Sequence, residues 1–260
     1  MCANTCPNEQ NILAALRRET PEEVPSFCQS IMSAVHNAYM QKYGDDLEED
    51  QILLTQIGDL TVYKAFGYSS HWCGGPQAHI KADDAIREKV AKMTEEVQKK
   101  HGSEYYVTDI GSIRKSNNVT HWFVEAGIKS EEDLRFFLEH WKIVPPTPED
   151  IEKWRLGRLQ CMEADFVPFI SNHVVVEPAN QIIDFGLTGK LMRKENPLID
   201  ELYDFLVQIP ILSFKAAASF GAKCYCTADD CAYKSGPMFS PKYYRDRKST
   251  RLNSSHRIRS

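Results

Sequence analysis

A recurring order constrains the fold most: a short apolar run of extended type, a turn, then a longer segment with apolar residues at helical spacing. Residues 24–28 (VPSFC), 68–73 (YSSHWC), 165–171 (DFVPFIS) and 222–227 (AKCYCT) are the extended runs. Strands separated by helices predict a parallel sheet and an α/β fold. No G-x-G-x-x-G or G-x-x-x-x-G-K-[ST] opens a helix, which argues against dinucleotide and P-loop folds. A (β/α)8 TIM-type barrel fits better. Four or five core strands instead of eight make that barrel incomplete, with its C-terminal strands missing.

Between the strands, Ile12, Leu13 and Leu16 share one face of a helix over 8–18. A long helical region is expected over 30–66, broken at Gly44-Asp45-Asp46, and a charged surface helix over 82–100. Residues 105–115 read as a hairpin turning at 109–112, with a further extended piece at 120–124. Ser130 with Asp133, and Thr147 before Pro148, carry helix-start signals. Leu198, Leu202, Phe205, Leu206, Ile209 and Leu212 form a core stripe in the helical stretch reaching residue 220, which Pro210 should kink. Ser240-Pro241 starts a last helix.

The net charge of -5 excludes a broad electrostatic footprint for nucleic acid. No apolar run reaches a membrane span, and the N-terminus lacks the basic and apolar regions of a signal peptide. These features predict a cytoplasmic protein with no membrane partner, whose eight cysteines are reduced. Residues 247–260 differ from the rest, with five basic residues and no acid. They are expected to be a disordered tail, and the string KSTRLNSSH within them resembles a translated sequencing adapter. Residues 1–246 then form one barrel domain whose natural chain continues past Asp246.

Several residues can carry chemistry. Asp229 and Asp230 follow the strand at 222–227, and adjacent carboxylates there point in different directions. One can act as acid, base or cation anchor; alternatively, both cap the next loop. Asn172 and His173 follow the strand at 165–171, where a histidine can bind a substrate oxygen or supply a proton, or simply cap a helix. Trp72 and Trp122 near strand ends can line a flat ligand surface or pack in the core. His71 and Cys73 have His-x-Cys spacing, and Cys224, Cys226 and Cys231 can add thiolates to a tetrahedral metal site. Packing is the usual reason for such cysteines.

The string D-D-C-A-Y-K-S-G-P-M-F-S-P at 229–241 resembles the uroporphyrinogen decarboxylase superfamily, in its branch of methyltransferases that work with corrinoid proteins. Residues 10–25 (QNILAALRRETPEEVP) and 121–134 (HWFVEAGIKSEEDL) are similar to other parts of that superfamily. Decarboxylases proper carry an arginine-rich segment where this chain has Ser26-Phe27-Cys28-Gln29-Ser30-Ile31, which argues against a porphyrinogen substrate. The resemblance implies a barrel whose mouth takes a corrinoid (cobalamin) carried by a partner protein. The second substrate is a small methylated donor, such as a methoxylated aromatic, or a thiol acceptor activated by zinc. The family's zinc ligands lie downstream of the segment matching Ser240-Pro241, so the resemblance transfers only Asp229 and Asp230. A decarboxylase of a tetrapyrrole-like or other carboxylated substrate and a non-catalytic corrinoid- or metal-binding protein are the alternatives.

Overall fold

The computed structural model describes residues 5–117 and 121–241. The fold is mixed α/β and divides into two compact units. One comprises Met1–Ile80, Ile143–His173 and Gln208–Ala228; the other comprises Lys81–Lys142, Val174–Val207 and Asp229–Ser260.

The first unit holds a four-stranded parallel sheet of Phe27–Cys28, Ser70–Gly74, Val167–His173 and Tyr225–Ala228, lying side by side in chain order. Parallel neighbours need crossover connections, which is why helices recur between these strands. The third strand is the most enclosed: Val167 and Ser171 are nearly covered and Ile170 is 0% exposed. Ile170 packs with Trp154, Phe214, Ala217 and Ala222 from the flanking helices and turn. Val167 instead meets Cys6, Ile12, Met162 and Cys224, so the helix Pro7–Leu16 seats against the amino-terminal end of the sheet. The helix Pro148–Glu163 starts as the sequence predicts. The Thr147 hydroxyl accepts the Asp150 N–H at 3.1 Å, and the Asp150 carboxylate accepts the Thr147 N–H at 3.3 Å.

The expected helical region over 30–66 is only partly helical. After the helix Ser33–Tyr43 come two 3-10 turns, a hairpin of Leu54–Thr55 with Gly58–Asp59, and the short helix Thr61–Ala65. Gly58 sits at φ 135°, open to glycine alone without strain, and the Thr55 hydroxyl donates to its carbonyl at 2.9 Å. Turn chemistry therefore overrides apolar spacing in this stretch.

The second unit contains a three-stranded antiparallel sheet, Tyr105–Val107, Ile113–Ser116 and His121–Glu125, with the predicted hairpin as its first two strands. The helix Asp84–His101 holds its inner edge, the Thr94 hydroxyl accepting the Val107 N–H at 3.2 Å. Helices Glu131–His140 and Pro197–Leu206 meet through Phe137 and Phe205, 5.4 Å apart edge to face. Leu198, Leu202 and Leu206 form the buried stripe. Pro210 does not kink a continuous helix. One helix ends at Leu206 and the next runs over Gln208–Ser219, placing Pro210 in a first turn where its missing N–H leaves no bond unmade.

No helix among the described residues is long and apolar enough to cross a membrane. The continuation of the expected last helix, the basic tail and Thr120 lie outside the described residues.

Candidate functional site

Parallel strands bring unrelated side chains together at their carboxyl ends, which is where α/β folds place their chemistry. Here the second strand contributes Trp72, whose ring centroid is 6.1 Å from that of His173 in the third strand. Trp72 is half-buried and His173 exposed. Asn172 and His173 are not beyond the third strand, as expected from sequence, but are its last two residues, paired with Thr227 and Ala228.

Next to the two rings an amide network joins the second and third strands. Asn172 Nδ2 donates to Gln77 Oε1 at 2.7 Å, and Gln77 Nε2 donates to the Ser171 carbonyl at 3.2 Å. The Gly74 N–H donates to the Ser171 hydroxyl at 2.9 Å. The Gly74-Gly75-Pro76-Gln77 turn is thus tied to the end of the third strand. A side chain at position 75 would put its Cβ 2.8 Å from Ile170 Cγ2, so glycine is needed for this approach. Sequence reasoning missed Gln77; its signal was that double-glycine turn directly after a strand.

Asp229 follows the fourth strand and belongs to the second unit, where its carboxylate acts as a helix cap. Oδ1 accepts the Glu177 N–H at 2.7 Å, with the Val175 N–H farther from Oδ2 at 3.5 Å, at the start of the helix Val176–Asn180. Asp230 is exposed. The Gly236-Pro237 dipeptide is one strand of a small hairpin with Ala232–Tyr233.

His71 and Cys73 alternate with Trp72 along the second strand and pack on the other side of it. The His71 ring stacks on Tyr63 at 3.9 Å, and its Nδ1 lies 2.9 Å from the Cys28 carbonyl. The Cys73 thiol points back to the His71 carbonyl at 3.5 Å, in a core with Tyr63, Cys161 and Phe166. Burial pushes His71 below its ordinary 6.5, and burial, reinforced by Cys161, pushes Cys73 well above 9.0. A thiol ligand must ionise to bind zinc, and this environment opposes it. Cys224 precedes the fourth strand and lies in the core with Cys6; burial pushes it up to about 12. Among the described residues no three His, Cys, Asp or Glu side chains are grouped to hold a metal ion. The described residues therefore do not fit a zinc site.

At the opposite, amino-terminal end of the sheet lies a cluster that the sequence did not disclose. Glu9, 1% exposed, accepts from Arg158 at 2.7 Å and from Lys223 at 3.3 Å. Its partners are 149 and 214 residues away in the chain, beyond any local pattern.

Comparison with protein families, with curated proteins and with solved structures finds no match to this chain.

Proposed function

We propose that the chain is a methyltransferase of the uroporphyrinogen decarboxylase superfamily, moving a methyl group between a small donor or acceptor and a corrinoid held by a partner protein. In this reading the four parallel strands are part of a (β/α)8 TIM-type barrel, and their carboxyl ends form part of its mouth. The resemblance of residues 229–241 to that superfamily gives the direction. The observation that carries the reading is the Trp72–His173 pair at the carboxyl end of a parallel sheet.

The corrinoid supplies a cobalt that takes up or releases the methyl group. The chain's own residues do the rest. Trp72 offers a flat face to a corrin or to a methoxylated aromatic ring. An imidazole nitrogen of His173 hydrogen-bonds the donor oxygen and gives its proton to the leaving phenolate. Asn172, fixed by Gln77, keeps the strand end in place. Asp229 orders the segment after the fourth strand, and Asp230 is the exposed carboxylate beside it. No step is assigned to zinc.

The engagement of Asp229 as a cap supports a second reading, a non-catalytic corrinoid-binding protein. One experiment separates the two. The full chain is incubated with reduced cobalamin and a methoxylated aromatic donor, then with methylcobalamin and a thiol, while the visible spectrum is followed. Methyl transfer in either direction supports the enzyme; a spectral shift on binding without turnover supports the binder. No change in either mixture overturns both.

A further inference from the structure

The second unit holds a cleft of about 180 Å³, lined by Gly189, Met192 and Arg193 of the helix Phe185–Arg193 and by Met238, Phe239 and Ser240, which follow the small hairpin. Met192 and Phe239 are 8% and 9% exposed and supply a buried apolar surface, whereas Arg193 and Ser240 are exposed. The walls are held by their neighbours. The Phe239 ring stacks on Phe185 at 5.8 Å between centroids, and Met238 Sδ accepts from Asn180 Nδ2 at 3.4 Å.

Packing alone accounts for neither Gly189 nor Arg193. Glycine in the middle of a helix weakens it. A Cβ at Gly189 would meet only Arg193 Nη1, at 3.5 Å, so no close neighbour demands glycine there, and the missing side chain leaves the cleft open. The same distance shows the guanidinium reaching back over Gly189, one turn earlier, to the cleft. Among the described residues no carboxylate pairs with Arg193.

We propose that this cleft binds a small aromatic carboxylate, with its ring against Met192, Met238 and Phe239 and its carboxylate on the Arg193 guanidinium. The planar fork of an arginine matches a carboxylate with two parallel hydrogen bonds. Beside a buried apolar wall that pairing is screened less than on an open surface. Thioethers and ring edges favour an aromatic body. An apolar cavity of about 150 Å³ accommodates benzene, so the cleft has room for one ring and its carboxylate. An inorganic anion would leave the apolar wall uncovered, and a neutral ring would leave Arg193 unpaired. The inference does not depend on methyl transfer, since every lining residue belongs to the second unit while Trp72 and His173 belong to the first.

The test is calorimetric titration of the full chain with benzoate. The expected result is one saturable site with a dissociation constant below about 1 mM that weakens as salt is added. Benzamide, which lacks the charge, and acetate, which lacks the ring, should each bind about tenfold more weakly or worse. Arg193→Gln should weaken benzoate about tenfold or more and leave benzamide unchanged. Gly189→Leu, a better helix former whose side chain fills the cleft, should abolish benzoate binding with an unchanged circular-dichroism spectrum. If that variant misfolds, the exposed Arg193→Gln still decides. Trp72→Ala should bind benzoate as the wild type does. No saturable binding up to about 10 mM, equal affinity for benzoate and benzamide, binding indifferent to the substitutions at 189 and 193, or binding lost in Trp72→Ala would overturn the proposal.

Discussion

Glu9 and His173 lie at opposite ends of the same parallel sheet, the first 1% exposed between Arg158 and Lys223, the second exposed beside Trp72. At the amino-terminal end the polar groups satisfy one another inside a core of Cys6, Ile12, Met162, Val167 and Cys224. At the carboxyl end the bonds run through Gln77, Asn172 and Ser171, next to rings that stay accessible. The sheet thus separates the residues that hold it from those that can meet a ligand, as α/β folds do. Substitutions at the two ends should fail in different assays.

The largest effect belongs to Glu9→Ala, which leaves Arg158 buried without its carboxylate and should cost about 3–5 kcal/mol by urea unfolding. A loss near zero would show that the amino-terminal cluster does not hold the sheet. The same end should be sensitive to alkali. Burial pushes Cys6 up to about 11, and Cys161 and Cys224 to about 12, from 9.0. The folded chain keeps these thiol protons when the unfolded chain releases them. Stability is therefore complete below pH 9 and falls as pH rises towards 11–12. Urea midpoints measured across that range should decline less steeply in Cys224→Ala, compared with its own value at neutral pH.

Asp229→Ala removes a helix cap and should cost about 0.5–2 kcal/mol. Asp229→Asn should recover much of that stability. If Asn restores stability while methyl transfer stays lost, the carboxylate has a role beyond capping. The smallest change in stability is expected for His173→Ala, within about 0.5 kcal/mol, since the side chain is exposed. Its effect should appear in ligand binding or turnover instead, and a large drop in the urea midpoint would contradict the division between the two ends.

Local signals account for what the sequence disclosed. Ser130 and Thr147 open helices because each hydroxyl has its partner carboxylate three residues on, and the 105–115 hairpin follows from alternation around a turn. The third strand was visible as an apolar run, although two residues too short at its carboxyl end, which moved Asn172 and His173 off the strand. The stretch at 52–60 misled because apolar spacing resembles a helix when the turn made by Gly58 is overlooked. In the candidate site, Trp72 and His173 were individually legible, but their pairing depends on strand register. Gln77, Arg158 and Lys223 acquire their roles only from partners distant in the chain. The His71-Trp72-Cys73 triplet shows the converse: alternation along the strand turns Trp72 to one face and puts His71 and Cys73 together on the other, where they pack against Tyr63 in the core.

On the proposed function, the carboxyl end of the parallel sheet binds a flat ligand against Trp72. The most direct test is titration of the full chain with cobalamin, followed by fluorescence or visible absorbance, in wild type and in Trp72→Ala. Saturable binding that weakens about tenfold or more in the variant, with the urea midpoint little changed, is the predicted result. Equal affinity in both proteins, or no binding by the wild type, would contradict it.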